Sequence, residues 1–576
     1  MPRRYSPPGL AGLLICLLTF AVVAASVRGQ PNGGDRPRVA VLLVFDQLRG
    51  DYLTRWQELF EENGFRRLQR EGIWFQNCYY PYAETLTGPG HASLVTGCSP
   101  ATHGVIGNEW YDRSAGKLVN CVSAERAYDL VPSRSGPSLG VDLIDRKGGR
   151  SVSPERLLAP SVGEALKEAT GGKGRVVSLS LKDRSAVLLG GRRPDACYWF
   201  DTSMGSFVTS TYYRDRLHPW VEAINNQRPG QRWFGTDWTR LRPALDYQKY
   251  SGLYEIPGSA PGYAQGRSFP HPLTGGLSKP GKLYYEAILN SPFGNQILVE
   301  LAKQVIETER LGQSDTPDLL AISFSSNDLI GHCWGPDSQE VLDVTLRSDL
   351  LVQDFLAYLD DKVGKNRYIV AVTSDHGICP IPEYTRSQGK NAGRVNAAAL
   401  LKGAEEFLNK TFNSKEAKLR WFESAPLPWV YLNRRLIPMG KEAEVEETLG
   451  KWFAEQPGIL TAYTTNQLNR EMAADDRIGQ SVRRSFYPER SGDVIVVLKP
   501  YYLFTSPFTL GTNHGSPHDY DTHVPLLVYG PGIRGNRSRE AVPPQAVAAI
   551  ISRSLGIRPP ARADCPVPAS MDGPKK

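Results

Sequence analysis

The chain has 576 residues, of which 41% are hydrophobic and 10% aromatic, and this composition is that of a globular protein with a large core. Its formal net charge is +7 and becomes +4 if Arg3, Arg4 and Arg28 are removed with a leader segment. So small an excess, without a long basic run, argues against nucleic-acid binding, and we expect no nucleic-acid partner.

Residues 1–29 are predicted to form a cleaved export signal. They contain a basic start, an apolar run from Leu10 to Ala25 and small residues before the end at Gly29. This pattern indicates a periplasmic or secreted mature protein. No later apolar run approaches the ~20 residues that a membrane helix needs, so we expect no stable membrane anchor.

Seven cysteines follow the predicted signal, and an oxidising compartment would permit disulfides among them. The odd number leaves at least one thiol free or intermolecular, and the sequence does not assign pairs. No CxxC spacing occurs, which disfavours zinc held by cysteine. Any bound metal is therefore expected to use aspartate and histidine.

Beyond the signal, strand-like and helix-like segments alternate. Arg38–Asp46 has the pattern of a buried strand, and the apolar spacing from Leu53 to Leu68 predicts an amphipathic helix. A long helix capped by Asp337 is predicted from Ser338 to about Asp361. Further buried strands are predicted at Gly174–Leu181, Leu319–Ser325, Tyr368–Thr373 and Val524–Tyr529. The alternation predicts an α/β fold with a doubly wound, mostly parallel sheet.

Two stretches break this alternation. Residues 191–280 and 385–505 are rich in Pro, Gly, Tyr and Trp, and we interpret them as insertions that cap the sheet edge. The prediction is one catalytic domain over residues 38–560, followed by a polar tail at 561–576. No internal repeat is present.

Polar residues stand at the ends of several predicted strands. Asp46, Asp375 and His376 follow apolar runs directly, and Asp328 follows another shortly after its end. Such positions converge on one crevice in a doubly wound sheet, and His332 would share a helix face with Asp328. Considered alone, an aspartate at the end of a strand is more often a helix cap. A lone histidine is more often a core or surface residue whose hydrogen bonds are satisfied within the protein. Five such residues at equivalent strand ends favour a two-zinc site.

A sixth ligand is expected late in the chain, before the strand at Val524. His514, His518 and His523 all precede this strand, and a plain surface loop is the alternative for the last two. We select His514 because the adjacent Gly515 permits close approach of the backbone.

Thr87 is the candidate nucleophile. It precedes a Gly-Pro-Gly turn that leads into a helix-like segment. Unpaired N–H groups and the positive end of a helix dipole would stabilise an alkoxide and a bound phosphate there. The alternative is a threonine that merely caps the helix, and the neighbouring candidate metal site is what favours the nucleophile.

Five motifs occur in this order along the chain: TGPGHASLVTG from Thr87, PATHGVIGN from Pro100, SNDLIGH, TSDHG and NHGSPHDYDTHVPLLVYG. Together they resemble the alkaline phosphatase superfamily in its phosphodiesterase and nucleotide pyrophosphatase branch. The likeness covers about residues 38–190, 318–380 and 510–532. Within the superfamily the chain most resembles the PafA-type alkaline phosphatases, which are periplasmic monoesterases with a threonine nucleophile.

The resemblance implies an alkaline phosphatase-like fold and two Zn²⁺ ions. The zinc site that activates the nucleophile would consist of Asp46, Thr87, Asp375 and His376. The site that stabilises the leaving group and later activates water would consist of Asp328, His332 and His514. A phosphoryl-oxygen contact would come from Asn108, and the cationic pair that marks monoesterases from Lys182 and Arg184. The implied reaction is hydrolysis of small phosphate monoesters through a phosphothreonine. The oligomeric state stays open.

Three other classes of protein share parts of this pattern. A sulfatase needs an oxidisable cysteine or serine where Thr87 stands, and threonine cannot become formylglycine. A nucleotide pyrophosphatase or phosphodiesterase would share the metal ligands, and Lys182 with Arg184 favours the monoesterase over it. A non-catalytic binding protein is disfavoured because every candidate position is filled.

Overall fold

The computed structural model describes residues 36–133, 151–412, 419–505 and 510–572. The predicted export signal at residues 1–29 lies outside these ranges, as do the last four residues of the predicted tail. Within the described residues, no helix combines the length and the apolar character required to cross a membrane.

The strands, in chain order, are β1 (Val39–Phe45), β2 (Ile73–Cys78), β3 (Glu109–Asp112), β4 (Lys117–Asn120), β5 (Leu130–Val131), β6 (Val176–Ser180), β7 (Ala196–Asp201), β8 (Ser206–Ser210), β9 (Asp237–Trp238), β10 (His271–Pro272), β11 (Asp318–Phe324), β12 (Tyr368–Thr373), β13 (Gly393–Asn396), β14 (Phe422–Ser424), β15 (Trp429–Leu432), β16 (Ile459–Thr464), β17 (Val494–Leu498), β18 (Tyr502–Thr505), β19 (Leu526–Tyr529) and β20 (Asn536–Val542).

The α-helices are α1 (Tyr52–Arg55), α2 (Phe65–Glu71), α3 (Thr87–Thr96), α4 (Pro100–His103), α5 (Val162–Ala169), α6 (Asp183–Gly190), α7 (Pro219–Gln227), α8 (Tyr247–Tyr250), α9 (Lys282–Leu289), α10 (Pro292–Thr308), α11 (Ser326–Trp334), α12 (Gln339–Leu359), α13 (Pro382–Ser387), α14 (Ala397–Phe412), α15 (Glu442–Ala454), α16 (Thr465–Leu468), α17 (Arg477–Ser485), α18 (Asp519–Thr522) and α19 (Val547–Leu555).

A ten-stranded sheet forms the centre of the described structure, in the order β20-β2-β19-β12-β1-β11-β6-β7-β8-β5. Its middle strand, β1, pairs in parallel with both β11 and β12. Strand β19 runs antiparallel to both of its neighbours, and so does β8. The other strands share one direction, which confirms the predicted α/β fold with a mostly parallel sheet.

Helices cover both faces of this sheet. All seven residues of β1 are buried, and they alternate between two hydrophobic clusters. Val41 and Leu43 belong to the cluster that includes side chains of α10 and α12, whereas Leu42 belongs to the one that includes side chains of α3 and α19. Because both faces of the sheet are buried, the sequences of these strands are continuous apolar runs.

The predicted amphipathic helix between Leu53 and Leu68 is wrong as a single element. The chain forms α1, a short 3-10 turn and α2, with an irregular passage between Phe60 and Gly64. The buried carboxylate of Asp349 holds this passage, because it accepts hydrogen bonds from the backbone N–H groups of Glu61 and Phe65, both at 2.6 Å.

The predicted cap of the long helix is also wrong by one residue. Ser338 caps α12, because its Oγ accepts a hydrogen bond from the N–H of Val341 at 3.1 Å. Asp337 instead forms an ion pair with Arg55 at 3.1 Å.

The two stretches predicted as insertions differ in structure. In residues 191–280, β7 and β8 extend the central sheet beyond β6. In residues 385–505, β14, β15, β17 and β16 form a separate four-stranded sheet with its own hydrophobic cluster. The domain limits read from the sequence stay predictions.

Candidate metal and catalytic site

The carboxyl ends of four neighbouring strands bring the predicted polar residues together. Asp46 follows β1 directly, Asp375 and His376 follow β12, Asp328 lies in the first turn of α11 after β11, and Lys182 follows β6. Because β12, β1, β11 and β6 are adjacent and parallel, their ends meet at one edge of the sheet.

His514 reaches the same edge from the other direction. Strand β19 is antiparallel to β12, so the loop that precedes it lies beside the carboxyl ends of the parallel strands. Nε2 of His514 lies 3.5 Å from Oδ1 of Asp328. The other two candidates in this loop contact backbone carbonyls elsewhere, since Nε2 of His518 lies 2.9 Å from the oxygen of Leu498 and Nε2 of His523 lies 3.1 Å from that of Gln76.

Two sets of donor atoms could each hold a metal ion. One set comes from Asp328, His332 and His514, and the other from Asp46, Asp328 and His376; in each set the donor atoms lie within 4.8 Å of one another. Asp328 belongs to both sets, whereas the resemblance implies that it belongs to one. Asp375 borders the second set, with its Oδ2 3.4 Å from Nε2 of His376.

The histidine tautomers suit metal binding. Nδ1 of each imidazole lies near a backbone carbonyl: 2.9 Å from that of Thr512 for His332, 2.9 Å from that of Gly377 for His376, and 2.8 Å from that of Thr85 for His514. A carbonyl only accepts hydrogen bonds, so Nδ1 carries a proton, and in the neutral imidazole Nε2 then presents a lone pair. In each of the three histidines, Nε2 lies near a carboxylate.

The carboxylates also fit a cation. Oδ1 of Asp46 is buried and accepts no hydrogen bond from any described residue. Burial raises the pKa of Asp46 well above its ordinary value, and the nearby carboxylates of Asp328 and Asp375 add to the effect. A bound divalent cation would offset both the cost of burying the charge of Asp46 and its repulsion by the other two carboxylates. Burial also lowers the pKa of His376 to about 3, which keeps this imidazole neutral, as a metal ligand must be.

The site has a cationic partner within the protein as well. Nζ of Lys182 lies 2.7 Å from Oδ2 of Asp46 and 2.5 Å from Oδ2 of Asp328. Burial lowers the pKa of Lys182, but these two carboxylates outweigh it and raise the pKa above its ordinary value. Arg184 follows two positions later, half-buried in the first turn of α6.

Thr87 is the first residue of α3, and Leu86 occupies the cap position. The threonine is therefore not the N-cap. Its side chain is 1% exposed, and its hydroxyl lies 3.4 Å from Nε2 of His376. Pro89 fits the first turn because an N–H at that position has no partner within the helix. Gly90 permits the close approach of α3, since a Cβ there would overlap the backbone oxygen of Asp375.

Asn108 lies beside the start of the same helix. Its Oδ1 accepts a hydrogen bond from the N–H of Gly88 at 2.7 Å. This contact orients the side-chain amide, whose Nδ2 donates to no described residue. The amide could therefore donate to an oxygen of a ligand bound in front of Thr87.

Sequence reasoning missed two residues of this site. His91 follows Thr87 by one helical turn, and its Nδ1 lies 2.8 Å from the oxygen of Thr87 and 3.1 Å from Oδ2 of Asp375. The spacing of four in a predicted helix could have indicated it. Gln47 contacts two carboxylates of the site, and no pattern marks it, since a glutamine after a strand is ordinarily a surface residue.

The chain matches the model of a known protein family. The model of the type I phosphodiesterase / nucleotide pyrophosphatase family matches residues 40–521. The chain therefore belongs to this family, and the resemblance read from the motifs is confirmed.

Two curated relatives match nearly the whole chain. Alkaline phosphatase PhoV of Synechococcus elongatus is 33% identical over 560 residues, which are 95% of this chain and 97% of the relative. Alkaline phosphatase PafA of Elizabethkingia meningoseptica is 30% identical over 550 residues, with coverage of 95% and 97%. A crystal structure of wild-type alkaline phosphatase PafA superposes with a TM-score of 0.82 at 30% identity, covering 94% of this chain and 99% of that one.

Proposed function

We propose that the chain is an exported, zinc-dependent alkaline phosphatase that hydrolyses phosphate monoesters through a phosphothreonine at Thr87. The observation that carries the proposal is the position of the Thr87 hydroxyl, 3.4 Å from Nε2 of His376 at the border of a donor set for a metal. The names of the full-length relatives support the same activity.

Thr87 would act as the nucleophile toward phosphorus. Its place at the start of a ten-residue helix puts the attacked phosphoryl group near backbone N–H groups and the positive end of the helix dipole. Asn108, oriented by Gly88, would donate its amide N–H to a phosphoryl oxygen. Both contacts stabilise negative charge that is spread over the oxygens in a loose transition state.

The donor sets suit zinc, because they combine imidazole nitrogen with carboxylate oxygen. One ion would be held by Asp46, Thr87, Asp375 and His376, and the other by Asp328, His332 and His514. When bound, two such ions lower the pKa of a coordinated hydroxyl or water and stabilise the attacking and leaving oxygens.

Lys182 and Arg184 would select monoesters. A monoester dianion has one more unsubstituted, charged oxygen than a diester, and a diester carries a bulky group at that place. The charged ammonium of Lys182 already lies within the site, 2.7 Å from Asp46. Positive charge there favours the dianion, whereas a diester gains less from it.

The test compares turnover of p-nitrophenyl phosphate and of bis-p-nitrophenyl phosphate. We expect the wild type to prefer the monoester, and the Lys182→Ala, Arg184→Ala double variant to lose far more monoesterase than diesterase activity. A matched control replaces Lys173 and Arg193, two exposed basic residues outside the site, with alanine and should retain both activities.

A nucleotide pyrophosphatase or phosphodiesterase is the second candidate, and the family description itself favours it. It would share Thr87 and the metal ligands. A wild type that prefers the diester would favour this candidate, and a double variant that loses both activities equally would contradict the monoesterase assignment.

A further inference from the structure

Gln47, the residue after Asp46, has an uncommon backbone conformation. Its φ angle is 71°, which lies in the left-handed region. Residues other than glycine, asparagine and aspartate rarely adopt this region. The residue is 3% exposed, so the surrounding protein encloses it. Strain of this kind persists only where the surrounding structure holds it, and it is concentrated at functional sites.

The conformation brings two donors of one residue to two different carboxylates. The backbone N–H of Gln47 donates to Oδ1 of Asp375 at 3.1 Å, and its Nε2 donates to Oδ1 of Asp328 at 2.7 Å. Asp375 and Asp328 follow different strands on either side of β1. Gln47 therefore links the carboxylate beside Thr87 to the carboxylate that belongs to both donor sets.

The helix that carries Asp328 leaves room for this side chain. A Cβ on Gly331 of α11 would overlap Oε1 of Gln47, so the amide lies directly against the helical turn between Asp328 and His332. This contact restricts the rotamer of the amide and keeps Nε2 directed at Asp328.

We propose that Gln47 is a positioning residue that fixes the orientation of Asp328 and Asp375, and thereby the arrangement of the two metal sites. The inference rests on the proposed two-zinc function. A hydrogen bond to a ligating carboxylate reduces the number of orientations that the ligand must lose on binding a metal. Removal of such outer partners typically lowers metal affinity by about 10- to 100-fold.

The test is zinc affinity of the metal-free protein, measured by competition with a chromophoric chelator. Gln47→Gly retains the left-handed backbone and its N–H but removes the side-chain amide. We expect zinc to bind it at least about 10-fold more weakly than the wild type. Arg310→Gly is the matched control, because Arg310 also has a positive φ of 54° but lies outside the site, and its zinc affinity should equal that of the wild type.

A second variant addresses the space left by the side chain. If Gln47→Gly does not fold, the Gln47→Gly, Gly331→Ala double variant adds a methyl group where the amide lay, and the same loss of affinity is expected. Zinc affinity within twofold of the wild type in a folded variant, with only the unfolding temperature lowered, would overturn the inference and leave Gln47 a structural residue. A wild type that binds no zinc would instead overturn the proposed function.

Discussion

The hydroxyl oxygen of Thr87 lies 3.4 Å from Nε2 of His376, although 289 positions separate the two residues in the chain. Both side chains are almost fully buried. The contact arises because α3 begins at the edge of the sheet where β12 ends, and the absence of a side chain at Gly90 lets the helix meet Asp375.

This relationship makes Thr87 the first target for mutation. We expect Thr87→Ala to lower kcat by at least about 10³-fold, because no attacking oxygen remains, whereas Thr87→Ser should retain much of the activity. Mass spectrometry of acid-quenched wild-type reactions should detect a phosphate on the peptide that contains Thr87. Rapid turnover by Thr87→Ala would show that water attacks phosphorus directly.

His91 is expected to support the site through Asp375. Its Nδ1 lies 3.1 Å from Oδ2 of Asp375, and its Nε2 lies 2.7 Å from Oγ of Ser323. On the proposed function, His91→Phe should weaken zinc binding by about 10-fold or more, because Asp375 loses the imidazole that lies against its Oδ2 and limits its orientation. Chelator competition measures this effect. His103→Gln, a substitution of another buried histidine, should leave zinc affinity unchanged; an equal loss in both variants would point to general destabilisation.

Gly90→Ala should reduce activity for a steric reason. Its Cβ would overlap the backbone oxygen of Asp375, so α3 and Thr87 would have to move away from the donor sets. Displacement of a reacting group by about 1 Å can cost about 10²-fold in rate. The control is Gly450→Ala in α15, where the new Cβ makes an ordinary 3.5 Å contact with Thr464. That variant should keep full activity and unfold at an equal or higher temperature. Equal kcat/KM values in the two variants would contradict the prediction.

Metal removal should affect stability as well as activity. The buried carboxylates of Asp46, Asp328 and Asp375 lie close enough for burial and mutual repulsion to raise the pKa of Asp46. A chelator should therefore abolish turnover and lower the unfolding temperature, and added Zn²⁺ should restore both. At a free zinc concentration of 100 times Kd the stabilisation would be about 2.7 kcal/mol. An unfolding temperature that does not respond to zinc would argue against ligation by these residues.

His103 should make stability depend on pH. Nδ1 of this buried residue accepts a hydrogen bond from the N–H of Val105, and burial together with Arg490 lowers its pKa from 6.5 to about 3. Between these values the unfolded chain binds the extra proton and the folded protein does not. The contribution of His103 to the free energy of unfolding is therefore complete above pH 6.5. It is lost as the pH falls toward 3, by up to about 1.4 kcal/mol per pH unit. Unfolding of chelator-treated wild type should therefore depend more steeply on pH in this window than that of His103→Gln. Identical pH profiles would mean that His103 does not titrate in this way.

Much of the fold could be predicted from the sequence because the central strands are buried on both faces. The apolar run of β12 matches its predicted limits, Tyr368–Thr373, and β1 differs from the prediction only at its ends. Patterns on the surface were less informative. The apolar residues between Leu53 and Leu68 pack into the core from three short segments, because the carboxylate of Asp349 holds the turn at Glu61.

The sequence by itself determined which side chains stand at strand ends, since a polar residue that closes a buried run is visible in one dimension. Only the tertiary structure decided how they meet. The loop with His514 precedes its strand, and it reaches the site because β19 runs antiparallel to β12. The link from Gln47 to both Asp328 and Asp375 depends on one backbone angle and on residues more than 280 positions away. Distances between side chains that are remote in the chain follow from packing and strand direction, which no local pattern encodes.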